Sequence, residues 1–368
     1  MKILFVGDIM PGGVLPYQDK YIEDDLMSYI HSFDLRIGTL ECGVGTSIPF
    51  DPRKMDTYKS IVYVRNEDIR RVKEMDFNIV SLANNHAFDL GVEGLKNAIS
   101  LLDKQGIQHF GAGMNLEEAK KPVVIKNGNE TIALFGCLFD YRVPYILYTA
   151  TENTPGVYHT NIEEVVAYIR ELKMKYNKVI VMPHWGEEHK YLQKSLFKGF
   201  ACRMIEAGAD CIIGSHPHII NPVVIWGGKK CYFSLGNFLF PEKCMQVPRP
   251  MYYPKTVDEY KSLKRMWTYP KSITEPIVAV WKPKNRIGMM VEMEVSNKIK
   301  SCYHLTCLTE DNVLHRYSSL LVRMRLAFWA MLMHFPKYGF VLRIYNHRYN
   351  LLRRLVDRMS AFNIPVKL

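Results

Sequence analysis

The first 240 residues alternate short apolar runs with segments in which apolar side chains recur every three or four positions. The apolar runs predict strands over Lys2–Val6, Leu35–Thr39, Asn78–Leu82, Val123–Ile125, Thr131–Cys137, Lys178–Met182, Cys211–Gly214 and Lys230–Ser234. The periodic segments predict helices near residues 66–75, 91–106, 161–177 and 193–207. Strands that alternate with helices in this way indicate an α/β architecture with a mixed sheet.

The pattern changes after residue 240. Residues 241–272 are rich in proline and aromatic side chains and have no clear period, which predicts a long loop or a small lid. Two further apolar runs, Pro276–Trp281 and Ile287–Val295, flank the segment KPKNR and predict a hairpin. We therefore expect the main domain to cover residues 1–300.

The last part of the chain, residues 310–368, is predicted to be a basic helical extension. One apolar stripe is expected on its first helix, formed by Leu314, Tyr317, Leu320, Leu321, Met324, Ala327, Phe328 and Met331. A second helix is predicted from about Phe340 to Met359, after the break at Pro336–Gly339.

The charge of the chain is uneven. The formal net charge is +11, but residues 1–240 carry −2, residues 241–315 carry +4 and residues 316–368 carry +9. The basic character therefore belongs to the helical extension, and nucleic acid is not an expected partner.

Three interpretations of the basic extension stay open. The apolar stripes pack on the main domain and the cations form a solvated face, or the extension attaches to an anionic membrane surface. In the third, it binds a partner such as a synthase, or an anionic polymer.

The eight cysteines contain no C-x-x-C pair, and several lie in apolar runs. This predicts buried free thiols in a reducing compartment. The N-terminal MKILFVGD is too short an apolar run for a signal sequence, and residues 326–336 are too few to cross a bilayer. We expect a cytoplasmic protein, at most peripheral to the inner face of the membrane.

Oxygen and imidazole donors follow five of the predicted strands. They are Asp8, Glu41, Asn85 with His86, His184, and His216 with His218. A single histidine in such a place is more often a buried residue with satisfied hydrogen bonds, and a single aspartate often caps the next helix. Because ligands of open α/β sheets bind beyond the carboxyl ends of the strands, the whole set predicts a metal site.

The short sequence motifs around these donors resemble those of a known family. GDIM, NNHAFDLG, HWGEE, GSHPH and SLGNFLF, spread over about residues 1–240, are similar to the capsule-synthesis CapA family, which is tied to poly-γ-glutamate capsules. The order of the donors also resembles that of calcineurin-like metallophosphoesterases. The resemblance implies a four-layer α/β/β/α sandwich of two facing mixed sheets, in which the hairpin over residues 276–295 supplies closing strands.

The resemblance also implies roles for individual residues. Glu41 matches the carboxylate that bridges two metals, and the other ligands of the first metal would be Asn85, His184 and His216. Asp8 and His218 match ligands of the second metal. His86 matches the residue that touches the substrate and helps to protonate the leaving group.

One position departs from the phosphoesterase pattern. Met10 stands where those enzymes have a histidine, and a thioether is a poor ligand for a hard divalent ion. CapA-like proteins share the departure. The cofactor implied is one or two ions of Mn, Fe or Zn, because imidazole and carboxylate donors without thiolates favour them. Neutral imidazole is the ligating form, so activity is expected to fall below about pH 6.

Four neighbours of the donors complete the predicted site. Glu188 is assigned a role in orienting a ligand or the substrate, with a helix-terminal charge as the alternative. Asp89 is either an acceptor for His86 or the start of the next helix. Asn84 and Asn237 are assigned to substrate binding, although the side chain of Asn237 is more readily explained as pinning a loop by hydrogen bonds. The remaining histidines, His189 among them, receive no function.

The leading hypothesis is a CapA-like, metal-dependent, hydrolase-like enzyme in the biosynthesis of a capsule or anionic polymer. Its chemistry would use activated water or proton transfer with His86 as acid or base. Phosphoester hydrolysis and peptide modification, by hydrolysis or epimerisation, are alternatives that fit the same residues. A non-catalytic assembly factor that recruits a polymer synthase is the alternative of another class.

Overall fold

The computed structural model describes residues 1–49, 60–139, 148–246, 250–266, 275–335 and 337–348. Strands of the described part are β1 Lys2–Ile9, β2 Leu35–Leu40, β3 Gly43–Val44, β4 Tyr63–Val64, β5 Ile79–Ser81, β6 Gln108–Phe110, β7 Ala112–Gly113, β8 Val123–Asn127, β9 Glu130–Phe139, β10 Gly156–Val157, β11 Lys178–Trp185, β12 Cys211–Ile213, β13 Val223–Trp226, β14 Lys229–Tyr232, β15 Lys243–Met245, β16 Lys264–Met266, β17 Ile277–Ala279, β18 Ile287–Val295, β19 Ile299–Leu308 and β20 Leu314–Tyr317.

The helices lie between these strands. They are α1 Asp24–His31, α2 Arg70–Glu74, α3 Gly91–Lys104, α4 Leu116–Lys120, α5 Ile162–Lys175, α6 Ser195–Ala207, α7 Val257–Ser262 and α8 Leu320–His334. Short 3-10 turns cover Leu15–Tyr17, Asn66–Ile69 and Pro283–Asn285. Each of the eight predicted strands and four predicted helical segments of the first 240 residues is present, with ends that differ by a few residues.

Two mixed sheets face each other and carry helices on their outer sides. The first sheet has the order β20-β19-β18-β1-β2-β5-β6, and the second has the order β13-β14-β12-β11-β9-β8. One apolar core lies between the sheets, a second lies between the first sheet and α1 to α3, and a third lies between the second sheet and α5 and α6. The four-layer α/β/β/α sandwich expected from the sequence is thus confirmed.

The central strands are apolar throughout because both of their faces are buried. In β1, Ile3 and Phe5 enter the core between the sheets, while Leu4 and Val6 enter the core under the outer helices. Side chains alternate between the two faces of a strand, so a run without polar positions is what a strand between two apolar layers requires.

The predicted hairpin over residues 276–295 is wrong in its pairing. Strand β18 joins the first sheet beside β1, but its hairpin partner is β19. Strand β17 instead lies between β15 and β16 in a separate three-stranded sheet. The predicted lid over residues 241–272 therefore contains β15, α7 and β16; its residues 247–249 and 267–272 lie outside the described part.

The helical extension also differs from the prediction. Leu314 and Tyr317 belong to β20 and pair with β19, so the chain is still part of the first sheet where a helix was expected. Helix α8 begins at Leu320, and a second helical segment runs from residue 338 to residue 348. The remainder of the helix predicted to end at Met359 lies outside the described residues.

The described helices include none that is long and apolar enough to cross a membrane. All eight cysteines are free. Five of them are buried, in line with the prediction, but Cys302 is exposed.

Candidate metal centre

Parallel strands of both sheets bring the predicted donors to one edge of the molecule. Asp8 lies near the end of β1, Glu41 directly follows β2, and His184 lies near the end of β11. The strands run side by side, and the amide of Glu41 donates a hydrogen bond to the carbonyl of Ile9 over 2.9 Å. Donors that are far apart in the sequence therefore meet where the strands end.

The first group of donors surrounds the Nε2 atom of His184. The side-chain oxygen of Asn85 is 2.8 Å from this nitrogen, and Nδ1 of His216 is 3.1 Å from it. Oε1 of Glu41 is 3.4 Å away. Glu41, His184 and His216 are all buried and offer ligand atoms within 4.8 Å of one another, as the three ligands of one divalent ion would.

The second group shares Glu41. Nε2 of His218 is 3.6 Å from Oε1 of Glu41, and Nδ1 of His218 is 3.8 Å from Oδ2 of Asp8. Met10 is fully buried in the apolar core under the outer helices. The second group thus consists of Asp8, Glu41 and His218, the set expected when position 10 cannot ligate.

Unpartnered oxygens test whether these residues fit a metal. Both carboxylate oxygens of Glu41 and Oδ1 of Asp8 are buried without a hydrogen-bond donor among the described residues. Buried polar atoms are almost always paired, because an unmet acceptor costs about 1–3 kcal/mol. A divalent cation between the two groups would satisfy all three oxygens, so the donor set fits one or two such ions.

The titration behaviour of the acids follows from their burial. Burial raises the pKa of Asp8 to about 8. Burial also raises the pKa of Glu41 well above its usual range, and the charges of Asp8 and Glu188 add to the effect. Burial lowers the pKa of His218, so its ring is neutral at pH 7, the form that ligates metals.

The loop after β12 holds two histidines in an unfavourable backbone conformation. His216 has φ of 96° and His218 has φ of 53°, a region that residues with a Cβ seldom occupy. Such strain costs on the order of 1–3 kcal/mol per residue and is concentrated at functional sites. In this backbone conformation, His216 belongs to the first donor group and His218, two residues later, belongs to the second.

Hydrogen bonds orient the ligating rings. Nδ1 of His184 is 2.8 Å from Oγ of Ser215, which leaves Nε2 for the first group. Nδ1 of His218 is 2.9 Å from Oδ1 of Asn237, whose amide nitrogen donates to the carbonyl of Asn285. Outer partners of this kind set the tautomer of a ligating histidine. These contacts fit the loop-pinning role considered for Asn237, and its assignment to substrate binding stays a prediction.

The contacts of Asn84 favour a positioning role over the predicted substrate contact. Its side chain is fully buried, its amide nitrogen donates to the carbonyl of Leu40, and its oxygen accepts from the amide of His86. A side chain without exposed surface and engaged at both ends is a positioning residue. It ties the loop of Asn85 and His86 to the end of β2.

His86 is paired with Asp89. Nδ1 of His86 is 2.6 Å from Oδ2 of Asp89, and the same oxygen accepts from the amide of Val62. Among the described residues no side chain caps α3, which favours Asp89 as the acceptor for His86 over a helix start. A carboxylate on Nδ1 leaves Nε2 as the position that accepts or gives a proton.

Several residues of the site were missed or set aside in the sequence. The ring of His189 lies 6.1 Å from that of His218, and burial lowers its pKa to about 4. Trp281 packs against His218 at 5.3 Å, and Lys243 lies over the ring of Trp281 at 4.6 Å. The sequence around Trp281 and Lys243 contains no motif that would place them in the site. His189 directly follows the motif HWGEE, which could have indicated its place near the donors.

Glu188 is half-buried and lies 3.8 Å from Nε2 of His189. Its charge also raises the pKa of His218 against the larger effect of burial. Glu188 thus belongs to the electrostatic surroundings of the second donor group, and its role in orienting a ligand or substrate stays a prediction.

Gly7 allows two backbones to approach beside the donors. A Cβ at this position would lie 1.8 Å from the carbonyl oxygen of Gly236, to which the amide of Asp8 donates. We expect Gly7→Ala to lower the free energy of unfolding by about 1–3 kcal/mol, because the loop after β14 has to move away. Urea unfolding followed by circular dichroism measures the change.

The matched control for Gly7→Ala is Gly199→Ala in α6. Nothing lies within 4 Å of a Cβ added there, so the substitution is expected to raise stability by about 0.5–1 kcal/mol. Equal effects of the two substitutions would contradict the close approach at Gly7.

Comparison with known families places the chain among capsule proteins. The profile of the family described as "Bacterial capsule synthesis protein PGA_cap" matches residues 2–242. The PGA biosynthesis protein CapA of Bacillus subtilis is 32% identical over 244 residues, which are 65% of this chain and 63% of that protein. The capsule biosynthesis protein CapA of Bacillus anthracis is 30% identical over 66% of this chain and 60% of its own length.

A probable polyglutamine synthesis accessory protein of Mycobacterium tuberculosis is 27% identical over 55% of each chain. The chain thus spans less than two thirds of the length of these curated relatives. The solved structure of a putative 5'-nucleotidase from Staphylococcus aureus aligns with this protein with a TM-score of 0.46 and 14% sequence identity. The alignment covers 89% of this chain and 59% of the other.

Proposed function

Since the chain belongs to the bacterial capsule synthesis family PGA_cap, we propose that it is a metal-dependent enzyme that acts on an anionic, poly-γ-glutamate-type polymer during its biosynthesis. The observation that carries the proposal is Glu41, a buried carboxylate shared by two groups of donors. Two buried carboxylates side by side are costly unless a cation or a shared proton compensates their charge, and a divalent ion would do so for both donor groups.

The residues of the site have distinct tasks in this proposal. Asp8, Glu41, Asn85, His184, His216 and His218 would hold the metal. Bound divalent ions would polarise an oxygen of the substrate and lower the pKa of water. His86 would exchange a proton with the reacting group through Nε2, while Asp89 keeps its ring oriented.

Cations beside the second donor group favour an anionic substrate. Lys243 is buried on β15, and its positive charge lowers the pKa of Glu41 against the larger effect of burial. The ammonium of Lys284 donates to the carbonyl of His189 over 3.1 Å. Burial and the charge of Lys282 lower the pKa of Lys284 to about 8. Cations held at a buried site attract carboxylates such as those of a polyglutamate chain.

A non-catalytic assembly factor is the second candidate. Relatives in Mycobacterium tuberculosis are named as probable accessory proteins of polyglutamine synthesis, a name that fits recruitment as well as catalysis. Phosphoester hydrolysis and peptide modification use the same donors and stay alternatives for the reaction. The cytoplasmic location stays a prediction from the sequence.

Replacing Lys243 with methionine is expected to weaken the binding of poly-γ-glutamate to the manganese-loaded protein by about tenfold or more. A hydrogen bond to a charged group contributes about 1.5–3 kcal/mol, and methionine keeps the packing on Trp281. Isothermal titration calorimetry with a defined oligomer measures the affinity, and the neutral polymer dextran serves as the reference ligand.

Lys264→Met on β16 is the control for this change, because Lys264 is exposed and is expected to leave the affinity unchanged. Failure of the wild-type protein to bind poly-γ-glutamate would overturn the proposed substrate class. Equal affinities of the Lys243→Met and Lys264→Met variants would remove Lys243 from the substrate site.

A further inference from the structure

Helix α8 is apolar on two opposite faces. Val322, Leu326 and Met333 are buried in the cores of the main domain. The opposite face consists of Leu320, Leu321, Met324, Phe328 and Met331, with exposed fractions between 49% and 78%. A helix on the surface of a globular protein needs one apolar face, so the second face is not explained by packing within the described residues.

The structure bears on one of the three open interpretations, in which the apolar stripes pack on the main domain. Within α8, the stripe residues Leu320, Leu321, Met324, Phe328 and Met331 lie in solvent. The buried residues of this helix, Val322, Leu326 and Met333, were not part of the stripe. The interpretation in which these stripes pack on the main domain is therefore wrong for α8.

The second helical segment continues this surface. Tyr338 and Leu342 enter the same core as Met333, and Trp329 contacts the ring of Tyr345 at 5.6 Å. Phe340 and Ile344, four positions apart, are 60% and 48% exposed. Both helical segments thus pack their inner sides on the apolar cores of the main domain and expose apolar side chains on their outer sides. We call the exposed residues Leu320, Leu321, Met324, Phe328, Met331, Phe335, Phe340 and Ile344 the outer apolar face.

Cations accompany the outer apolar face. Lys337, Arg343 and Arg348 are exposed beside it, and the stretch 316–348 contains no acidic residue. We propose that the outer apolar face docks on the surface of an anionic lipid bilayer. Its apolar side chains would enter the headgroup boundary while its cations bind lipid headgroups, as in helices that lie in the membrane interface.

The cations beside the outer apolar face favour an anionic bilayer over a second copy of the chain or the C-terminal residues as the partner of this face. A second copy of the chain, packed face to face, would bring the cations of both copies together. Residues 349–368 carry four cations and one acidic residue, so covering the face with them would also concentrate like charges. An anionic bilayer neutralises the cations and buries the apolar side chains at the same time. The face lies outside residues 2–242, which match the family, and the inference does not depend on the metal centre.

Flotation with vesicles tests the proposal on the full chain. Binding is expected to mixed phosphatidylcholine–phosphatidylglycerol vesicles and to be much weaker with phosphatidylcholine alone. It should weaken between about 0.1 M and about 1 M salt, where the Debye length falls from ~10 Å to ~3 Å. The double substitution Phe328→Ser with Met331→Ser is expected to lower binding by at least about tenfold. Arg343→Gln with Arg348→Gln is expected to lower it by about fivefold per cation.

Met174→Ser is the matched control, because Met174 is 81% exposed at the end of α5 and lies outside the outer apolar face. It should bind vesicles like the wild-type protein. The proposal is overturned if the wild-type chain does not float with anionic vesicles, as expected for a face that docks on a protein. It is equally overturned if neutral vesicles bind as well as anionic ones, or if the Phe328→Ser, Met331→Ser variant behaves like Met174→Ser. Metal content should be the same in all of these variants.

Discussion

Replacing Glu41 with alanine is expected to empty both metal positions at once, whereas His216→Ala empties only the first. Glu41 is the member common to the two donor groups, while His216 belongs to one. Loss of one protein ligand removes a large part of the affinity of a metal site, and Glu41 is a ligand in both donor groups. Elemental analysis of the purified protein after loading with manganese or zinc measures the metal bound per chain.

The thermal midpoint serves as a second measurement in this experiment. Glu41 and Asp8 are buried beside each other, so removing one carboxylate relieves repulsion in the metal-free protein. Glu41→Ala should therefore remain folded, with a midpoint that no longer rises when metal is added. A folded Glu41→Ala variant that binds as much metal as the wild-type protein would contradict the shared site.

Replacing His86 with alanine is expected to lower the rate of the metal-dependent reaction by about 10²–10⁴-fold while the metal content stays unchanged. General acid–base catalysis contributes about this factor. His86 belongs to neither donor group, although Asn85 next to it does contact His184. Single-turnover cleavage of poly-γ-glutamate in the presence of manganese measures the rate.

The substitution Asp89→Asn tests whether Asp89 orients the ring of His86 for proton transfer. Because Asp89 acts on the tautomer and orientation of the His86 ring, Asp89→Asn should lower the rate and change its pH profile without abolishing polymer binding.

Polymer production in cells separates catalysis from assembly. If His86→Ala supports normal production, the assembly-factor candidate is favoured and the enzyme proposal is wrong.

The accuracy of the sequence predictions differs between the parts of the chain. Strand β11 is an apolar run that was expected to end at Met182, but its pairing with β9 continues to the register of Trp185 with Phe139. The strand itself was predictable because both of its faces are buried. The end of the strand was not predictable, because its last residues pair with residues of β9 that lie 46 positions earlier in the chain.

The wrong pairing in the predicted hairpin and the unexpected orientation of α8 have related causes. A local pattern shows that Ile287–Val295 is a strand, yet it does not show that β19 is its hairpin partner. In α8, apolar residues occupy both sides, so the pattern alone offers two faces to pack. The edge of the second sheet and the core around Met333 decide between them.

The amino-acid sequence by itself determined the order of strands and the donor types that follow them, because apolar runs and polar strand ends are local properties. Parallel strands bring Asp8 and Glu41 to one edge of the first sheet, and they bring His184 and His216 to one edge of the second. The packing of the two sheets then places the two edges together. The resemblance to the family already implied that Glu41 is shared. Only the tertiary structure decided that Asn84 contacts Leu40 and His86, that Trp281 packs against His218, and that Lys243 lies over the ring of Trp281. These arrangements depend on contacts between distant segments, whose geometry is set by packing and not by any local pattern.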